Sequence, residues 1–174
     1  MQDNEVINIL LNKLSFSSKN ISDLKIFKNE LLKANKKHNF ISKNTETVIW
    51  HRHILDSAQL VKFIDFSEGS LSDLGSGAGF PGLILALFNK NKDFHVKLYE
   101  KSPVKRAFLR DIIDGLSLKI ELRGNVYDEI IDTDYIVSRA FKKLEAIIQV
   151  SREIAKKSHK LIILKGQNAQ EDLK

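Results

Sequence analysis

Apolar residues recur at two different spacings along this chain. Val6, Ile9, Leu10 and Leu14 repeat every three to four positions, and so do Leu24, Phe27, Leu31 and Leu32. That spacing places side chains on one face of a helix. Two N-terminal helices are therefore expected, the second with Ser22 as its N-cap. A third helix is expected over 45–60, capped by Thr45 and carrying Val48, Ile49, Ile54, Leu55 and Leu60 on its apolar side. Beyond residue 66, short apolar runs alternate with helical segments. Segments 71–74, 96–100, 118–122, 135–138 and 160–164 read as five strands. Between them, 83–88 reads as a helix buried on most faces. Ser102 and Pro103 form a strong helix start, and that helix carries Phe108, Leu109, Ile112 and Ile113 before stopping at Gly115. Leu144, Ile147, Ile148 and Ile154 mark a last helix. Strand–helix alternation implies parallel strands joined by crossovers, hence an α/β, doubly wound, mainly parallel sheet. Residues 1–66 are expected to form an N-terminal helical extension or lid, and residues 67–174 the core, within one structural unit.

Composition narrows the setting. The chain has 174 residues, enough for one domain with its own core. It has no cysteine, which excludes disulfides and thiolate metal sites and fits a reducing compartment. Asp3 and Glu5 precede the first apolar stretch, so no secretory leader is expected, and no apolar run approaches a membrane span. A cytoplasmic, membrane-free protein is the expectation. The net charge of +6 favours a polyanionic partner. Lys33, Lys36, Lys37 and Lys43, with Phe40 and Trp50 nearby, suit RNA phosphate contact with stacking, and Lys105, Arg106 and Arg110 offer the same chemistry. No metal site is expected. Of the five histidines only His51 and His53 are close, and two positions apart on a helix they face different ways. His53 reads as a helix residue packed near the lid.

The densest signal is Asp73-Leu74-Gly75-Ser76-Gly77-Ala78-Gly79-Phe80-Pro81-Gly82, directly after the first strand and before a helix. Glycines there let a ligand approach backbone N–H groups at the carboxyl end of the sheet. Gly77, Gly79 and Gly82 satisfy the dinucleotide spacing formally, so a dinucleotide-dependent oxidoreductase stays open. Three features favour S-adenosylmethionine instead. Pro81 precedes the third glycine. Asp73 is an acid that would repel a pyrophosphate but suits an amine or ribose donor. Glu100 ends the second strand, where a carboxylate accepts ribose hydroxyls.

Several segments together resemble the glucose-inhibited division protein B family, the RsmG small-subunit rRNA methyltransferases. They are His53-Ile54-Leu55-Asp56-Ser57, the glycine loop, Lys105-Arg106-Ala107-Phe108-Leu109, Ser138-Arg139-Ala140-Phe141 and Leu164-Lys165-Gly166-Gln167, in the family's order from about residue 30 onward. The resemblance implies a class I methyltransferase (Rossmann-like) fold. It implies S-adenosylmethionine as cofactor, methyl transfer to N7 of one guanine in 16S rRNA, and 16S rRNA or the small ribosomal subunit as partner of a monomer. Cofactor-binding positions carried over are Gly75 and Phe80 in the loop, then Gly124 and Asn125 at the adenine, and Arg139 at the end of the fourth strand; Gly77 and Glu100 join them from the reading of the loop and the strand end above. Gly-Asn at 124–125 departs from the family's small residue followed by Glu. Arg139 is expected to bind the methionine carboxylate or a phosphate, and Lys165 an RNA phosphate. No catalytic acid or base is assigned, because guanine N7 has a lone pair and no proton. The family continues past Leu-Lys-Gly-Gln with a helix and a strand pair, whereas seven residues follow Gln167 here. A shortened C-terminal end with the fifth strand exposed is therefore expected, and with it a non-catalytic RNA-binding remnant remains an alternative.

Overall fold

The computed structural model of the chain describes residues 2–139 and 143–165. Five strands form one sheet: β1 (Ser70–Leu74), β2 (His95–Tyr99), β3 (Ile120–Arg123), β4 (Tyr135–Arg139) and β5 (Lys160–Leu164). Their order is β3-β2-β1-β4-β5, and every pairing is parallel. The chain thus runs outward from β1 in one direction and then returns to start again at β4. The order reverses between β1 and β4, which opens a crevice at their carboxyl ends. This is the doubly wound α/β sheet that the strand–helix alternation predicts. Bounds shift by a residue or two; the largest change is β3, where Leu118 instead closes the end of the preceding helix through its N–H to the Ile113 carbonyl.

Among the described residues six α-helical segments accompany the sheet: α1 (Asp3–Lys13), α2 (Ser18–Asn35), α3 (Asp56–Ala58), α4 (Gly82–Phe88), α5 (Pro103–Gly115) and α6 (Leu144–Ile154). Helices α4 and α5 cross from β1 to β2 and from β2 to β3, so they lie on one face. The opposite winding of β4-α6-β5 puts α6 on the other. Val150 and Ile154 of α6 accordingly share a cluster with Leu74, Tyr99 and Ile136. Helix α2 packs against α4 and α5, and α1 packs against the segment Trp50–Leu55. Val6, Leu10, Leu24, Phe27 and Leu31 belong to the same continuous core as Leu83, Leu98 and Leu109. Burying this apolar stripe fixes the N-terminal third against the glycine loop, for the Phe27 ring lies 5.4 Å from that of Phe80, tilted by 59°.

Two expectations about the first third fail. Ser17, not Ser22, caps α2: its hydroxyl accepts from the Asn20 N–H at 3.1 Å, and the Asn20 side chain returns a bond to the Ser17 N–H at 2.9 Å. The reciprocal pair satisfies two otherwise orphaned donors, and Ser22 is left exposed one turn inside the helix. The segment expected as a single helix over 45–60 is instead a chain of short turns. A 3-10 turn (Lys43–Val48) leads to a π turn (Trp50–Leu55), then α3, then a second 3-10 turn (Gln59–Phe63). Thr45 therefore sits inside a turn rather than capping a helix. Thr45, Thr47, Val48 and Ile49 are β-branched and resist regular helix. The wider π turn buries Trp50, His53, Ile54 and Leu55 together. Trp50 is thereby removed as a stacking platform, being 3% exposed. Strand β5 pairs only with β4 among the described residues, and Leu161–Leu164 is half-buried. Ala140, Phe141, Gly166 and Gln167 of the quoted motifs lie outside the described residues.

The cap assignment is testable. Ser17→Ala should lower unfolding free energy by about 1 kcal/mol, whereas Ser22→Ala should change it by less than about 0.5 kcal/mol, both read from urea midpoints.

Candidate active site

The glycine loop leaves β1 at the crevice, and two carboxylates hold its shape. Asp73, in β1, is wholly buried, and its Oδ2 accepts from the Gly82 N–H at 2.9 Å. Glu100, just past β2, accepts from the Gly77 N–H at 2.8 Å through Oε2 and from the Ser102 N–H at 2.8 Å through Oε1. The Tyr99 carbonyl takes both the Gly75 and Ser76 N–H groups at 2.9 Å. The loop is thus tied at its beginning, middle and end to the ends of two adjacent strands. Gly77 has φ of +59°, which a side-chain-bearing residue rarely adopts. Gly82 is required by packing: a Cβ there would lie 2.6 Å from the Asp73 Cβ and collide with Leu98. The third glycine therefore lets α4 seat against β1 and β2.

Asp73 thus holds the end of the loop from beneath, a contact that its position in the sequence does not reveal. Burial pushes its carboxyl up to about 7, opposed by the Gly82 N–H, Ser76 and Arg139. Its Oδ1 has no hydrogen-bond partner among the described residues. Glu100 is also mostly buried and spends one lone pair of each oxygen on backbone, leaving acceptor capacity on both. Gly124 and Asn125 follow β3 on the same edge of the sheet. The space above Gly124 is open, so the fold does not demand glycine there. Asn125 caps the next turn (Val126–Asp128), its Oδ1 accepting from the Tyr127 N–H at 3.4 Å.

Arg139, at the end of β4, reaches back across the crevice. Its guanidinium lies 4.9 Å from the Phe80 ring centre, and its Nη1 is 2.8 Å from His53 Nδ1. His53 in turn stacks on Phe80, the ring centroids 5.0 Å apart. Phe80 and Arg139, expected separately from the sequence, are thus brought together, and His53 joins them. Reading His53 as lid packing missed this contact, because the partners lie 86 residues apart in sequence. The usable signal was its place in the His53–Ser57 segment. Burial, then the positive charges of Arg139 and Arg52, hold the imidazole down at about 4. Neutral His53 therefore offers Nδ1 as acceptor to Arg139, and Nε2 carries a proton with no partner among the described residues.

A glycine loop at the switch point of a 3-2-1-4-5 parallel sheet, with an acid ending the neighbouring strand, defines a class I methyltransferase. Solved structures of that fold superpose on the chain. They include the precorrin-6Y C5,15-methyltransferase of Geobacter metallireducens GS-15 (TM-score 0.54, 14% identity, 68% of this chain and 67% of that one). TYW2 of P. horikoshii in complex with MeSAdo is another (TM-score 0.52, 18% identity, 63% and 42%). Over residues 20–174 the chain matches the GidB family, rRNA small subunit methyltransferase G. The ribosomal RNA small subunit methyltransferase G of Pelagibacter ubique (strain HTCC1062) is 35% identical over 170 residues, covering 94% of this chain and 80% of that protein. The Rickettsia akari (strain Hartford) protein of the same name is 38% identical over 149 residues, covering 85% and 76%. The chain belongs to the rRNA small subunit methyltransferase G family.

The two buried titrating groups act in opposite directions on stability. Between about pH 4 and 6.5 the unfolded chain binds a proton at residue 53 that folded His53 refuses, so this contribution rises with pH. Between 3.8 and about 7 folded Asp73 keeps a proton that the unfolded chain has released, so its contribution falls as pH rises. The wild type should accordingly show a shallow dependence between pH 4.5 and 6.5. Asp73→Asn should become more stable toward pH 6.5 and His53→Gln less stable, each by about 2 kcal/mol, read from urea unfolding at the two pH values.

Proposed function

We propose that the protein transfers the methyl group of S-adenosylmethionine to N7 of a guanine in 16S rRNA, acting in the cytoplasm as a monomer. The observation that carries this reading is the clamped glycine loop, roofed by Phe80 and Arg139, in a chain of the small-subunit rRNA methyltransferase family. Membership of that family favours methyl transfer over the oxidoreductase and non-catalytic readings. Among the described residues no helix is long and apolar enough to cross a membrane.

The residues fit the cofactor. Asp73 Oδ1 and His53 Nε2–H are a buried acceptor and a buried donor, both unsatisfied, beside the loop. Burial without a partner costs each of them free energy, which a polar ligand group would relieve. Glu100 has acceptor capacity left for ribose hydroxyls, Gly75 and Gly77 present backbone, and Gly124 and Asn125 border the adenine position. When bound, S-adenosylmethionine supplies an electrophilic methyl group on a sulfonium.

No residue of this chain has to remove a proton, because guanine N7 carries none. Catalysis therefore rests on holding the acceptor in line, for which a rigid loop is the main requirement. Arginine commonly reads guanine through O6 and N7 together, but a guanidinium on N7 would block attack. The position of Arg139 over Phe80, tied to His53, instead suits an anionic group at the loop: the methionine carboxylate or a phosphate.

Incubation with labelled S-adenosylmethionine and unmodified small subunits or 16S rRNA should place label on a guanine, with the site mapped by N7-specific cleavage. Label in protein alone would overturn the reading. Arg139→Ala should raise the cofactor Kd by about tenfold or more, as expected for loss of a hydrogen bond to a charged group. Cofactor affinity in the wild type should rise from pH 6 to 8 as Asp73 ionises, and Asp73→Asn should abolish that rise; isothermal titration at several pH values measures both.

A further inference from the structure

Helices α2 and α5 do not close on one another along their whole length. Between them runs a groove of about 730 Å³, walled by Ile26, Ala34 and Lys37 on one side and Val104, Ala107 and Phe108 on the other. Its apolar character is unusual for a surface, since Ile26 is 47% and Val104 46% exposed. The floor is aromatic: Phe40 lies 4.9 Å from Phe108, and His38 continues the series 5.9 Å from Phe40. The series does not stop in the groove. Phe108 lies 6.3 Å from Phe27, which lies 5.4 Å from Phe80 of the glycine loop. One end of the groove opens at the first turn of α5, where Val104 follows Glu100 by four residues. The groove's floor thus packs, through the buried ring of Phe27, on the loop of the site described above.

Its lip carries Lys33, Lys37, Glu30 and Asp111. Lys33 is paired with Glu30 at 2.6 Å. Lys37 on the lip and Lys36, next to it in sequence, are exposed and have no acidic partner within 4.0 Å among the described residues. On the α5 wall Asp111 presents an acceptor suited to an exocyclic amine. Apolar walls, an aromatic floor and unpaired lysines at the edge match one kind of occupant, a nucleotide with its base inside and its phosphates outside. A purely apolar helix would leave Lys37 and Asp111 facing hydrocarbon, and the +6 chain favours a polyanion.

We propose that the α2–α5 groove binds a single-stranded segment of the rRNA flanking the methylated guanine, with a base against Phe40 and the backbone along Lys36 and Lys37. The proposal rests on the rRNA methyltransferase reading. It adds a second anchoring surface that sets where along the RNA the target base is presented.

The test uses the full chain with S-adenosylmethionine and unmodified 16S rRNA. Ala107 is exposed on the groove wall, so Ala107→Trp should fill the groove from outside the core. Gly115→Trp is a second filling variant, since a Cβ at Gly115 meets nothing within 4 Å. Either should weaken rRNA binding at least tenfold, and leave the cofactor Kd within twofold, which also certifies folding. Lys36→Glu with Lys37→Glu should reduce the slope of log Kd against log salt by about 1.4, at roughly 0.7 per single-strand phosphate. Crosslinking with 4-thiouridine-substituted RNA should label peptides containing Phe40 or Ala107. Wild-type rRNA affinity and KM in both filling variants, with methylation intact, would overturn the groove and leave the methyltransferase reading standing. Absence of methylation by the wild type would remove both. Sedimentation showing that Ala107→Trp dissociates a dimer would assign the groove to a second copy of the chain and overturn the RNA proposal.

Discussion

Two carboxylates on neighbouring strand ends hold the backbone of one loop, and the rest of the site depends on them. Asp73 fixes the N–H of Gly82 and Glu100 fixes that of Gly77. A glycine-rich loop has many accessible conformations and loses much entropy when it is ordered. Hydrogen bonds accepted by these buried acids offset that loss at two points, five residues apart. Because the acids stand on β1 and just past β2, the register of those two strands sets the loop's position. The parallel pairing Leu74↔Tyr99 is therefore a site-forming contact as well as a fold-forming one.

Phe80, presented by the fixed loop, then gathers the rest. It faces Phe27 from α2, His53 from the π turn and the guanidinium of Arg139 from β4. Three segments far apart in sequence meet on one ring. The N-terminal helices are in this sense part of the site, for they supply one wall of it and, with α5, the groove beside it. Burial also explains the unusual protonation states. Asp73 and His53 are both pushed toward neutrality by desolvation, one upward and one downward. Each retains a polar atom with no partner among the described residues, so each is ready to gain from a polar ligand.

The sheet was legible because its signals are local. Strand periodicity, the Ser102-Pro103 start and the Asp73–Gly82 string all act within a few residues, and each survives into the structure. Gly75, Gly77, Phe80, Glu100 and Arg139 could be singled out as site candidates for the same reason, since each sits at or just beyond a recognisable strand end. The stretch 43–63 was not legible. Its apolar residues fit a helical period, but β-branched side chains weaken a regular helix, and burial of Trp50, His53, Ile54 and Leu55 together favours a wider turn. The N-cap of α2 failed similarly. Ser17 and Ser22 are equivalent as residue types, and Asn20 three positions after Ser17 completes the reciprocal bonds there.

By itself the sequence determined the α/β alternation, the loop and the family, because these depend on residue type and spacing along the chain. Only the tertiary structure decided what the loop's acids do. It turned Asp73 beneath the loop to hold Gly82, and set Glu100 to hold Gly77 before any ligand is considered. It also brought His53 to Arg139, and left an aromatic groove between α2 and α5. The physical reason is common to all four: each depends on which groups meet after the strands pair and the core is buried. Those contacts span tens of residues, and hydrophobic burial carries little directional information until packing fixes it.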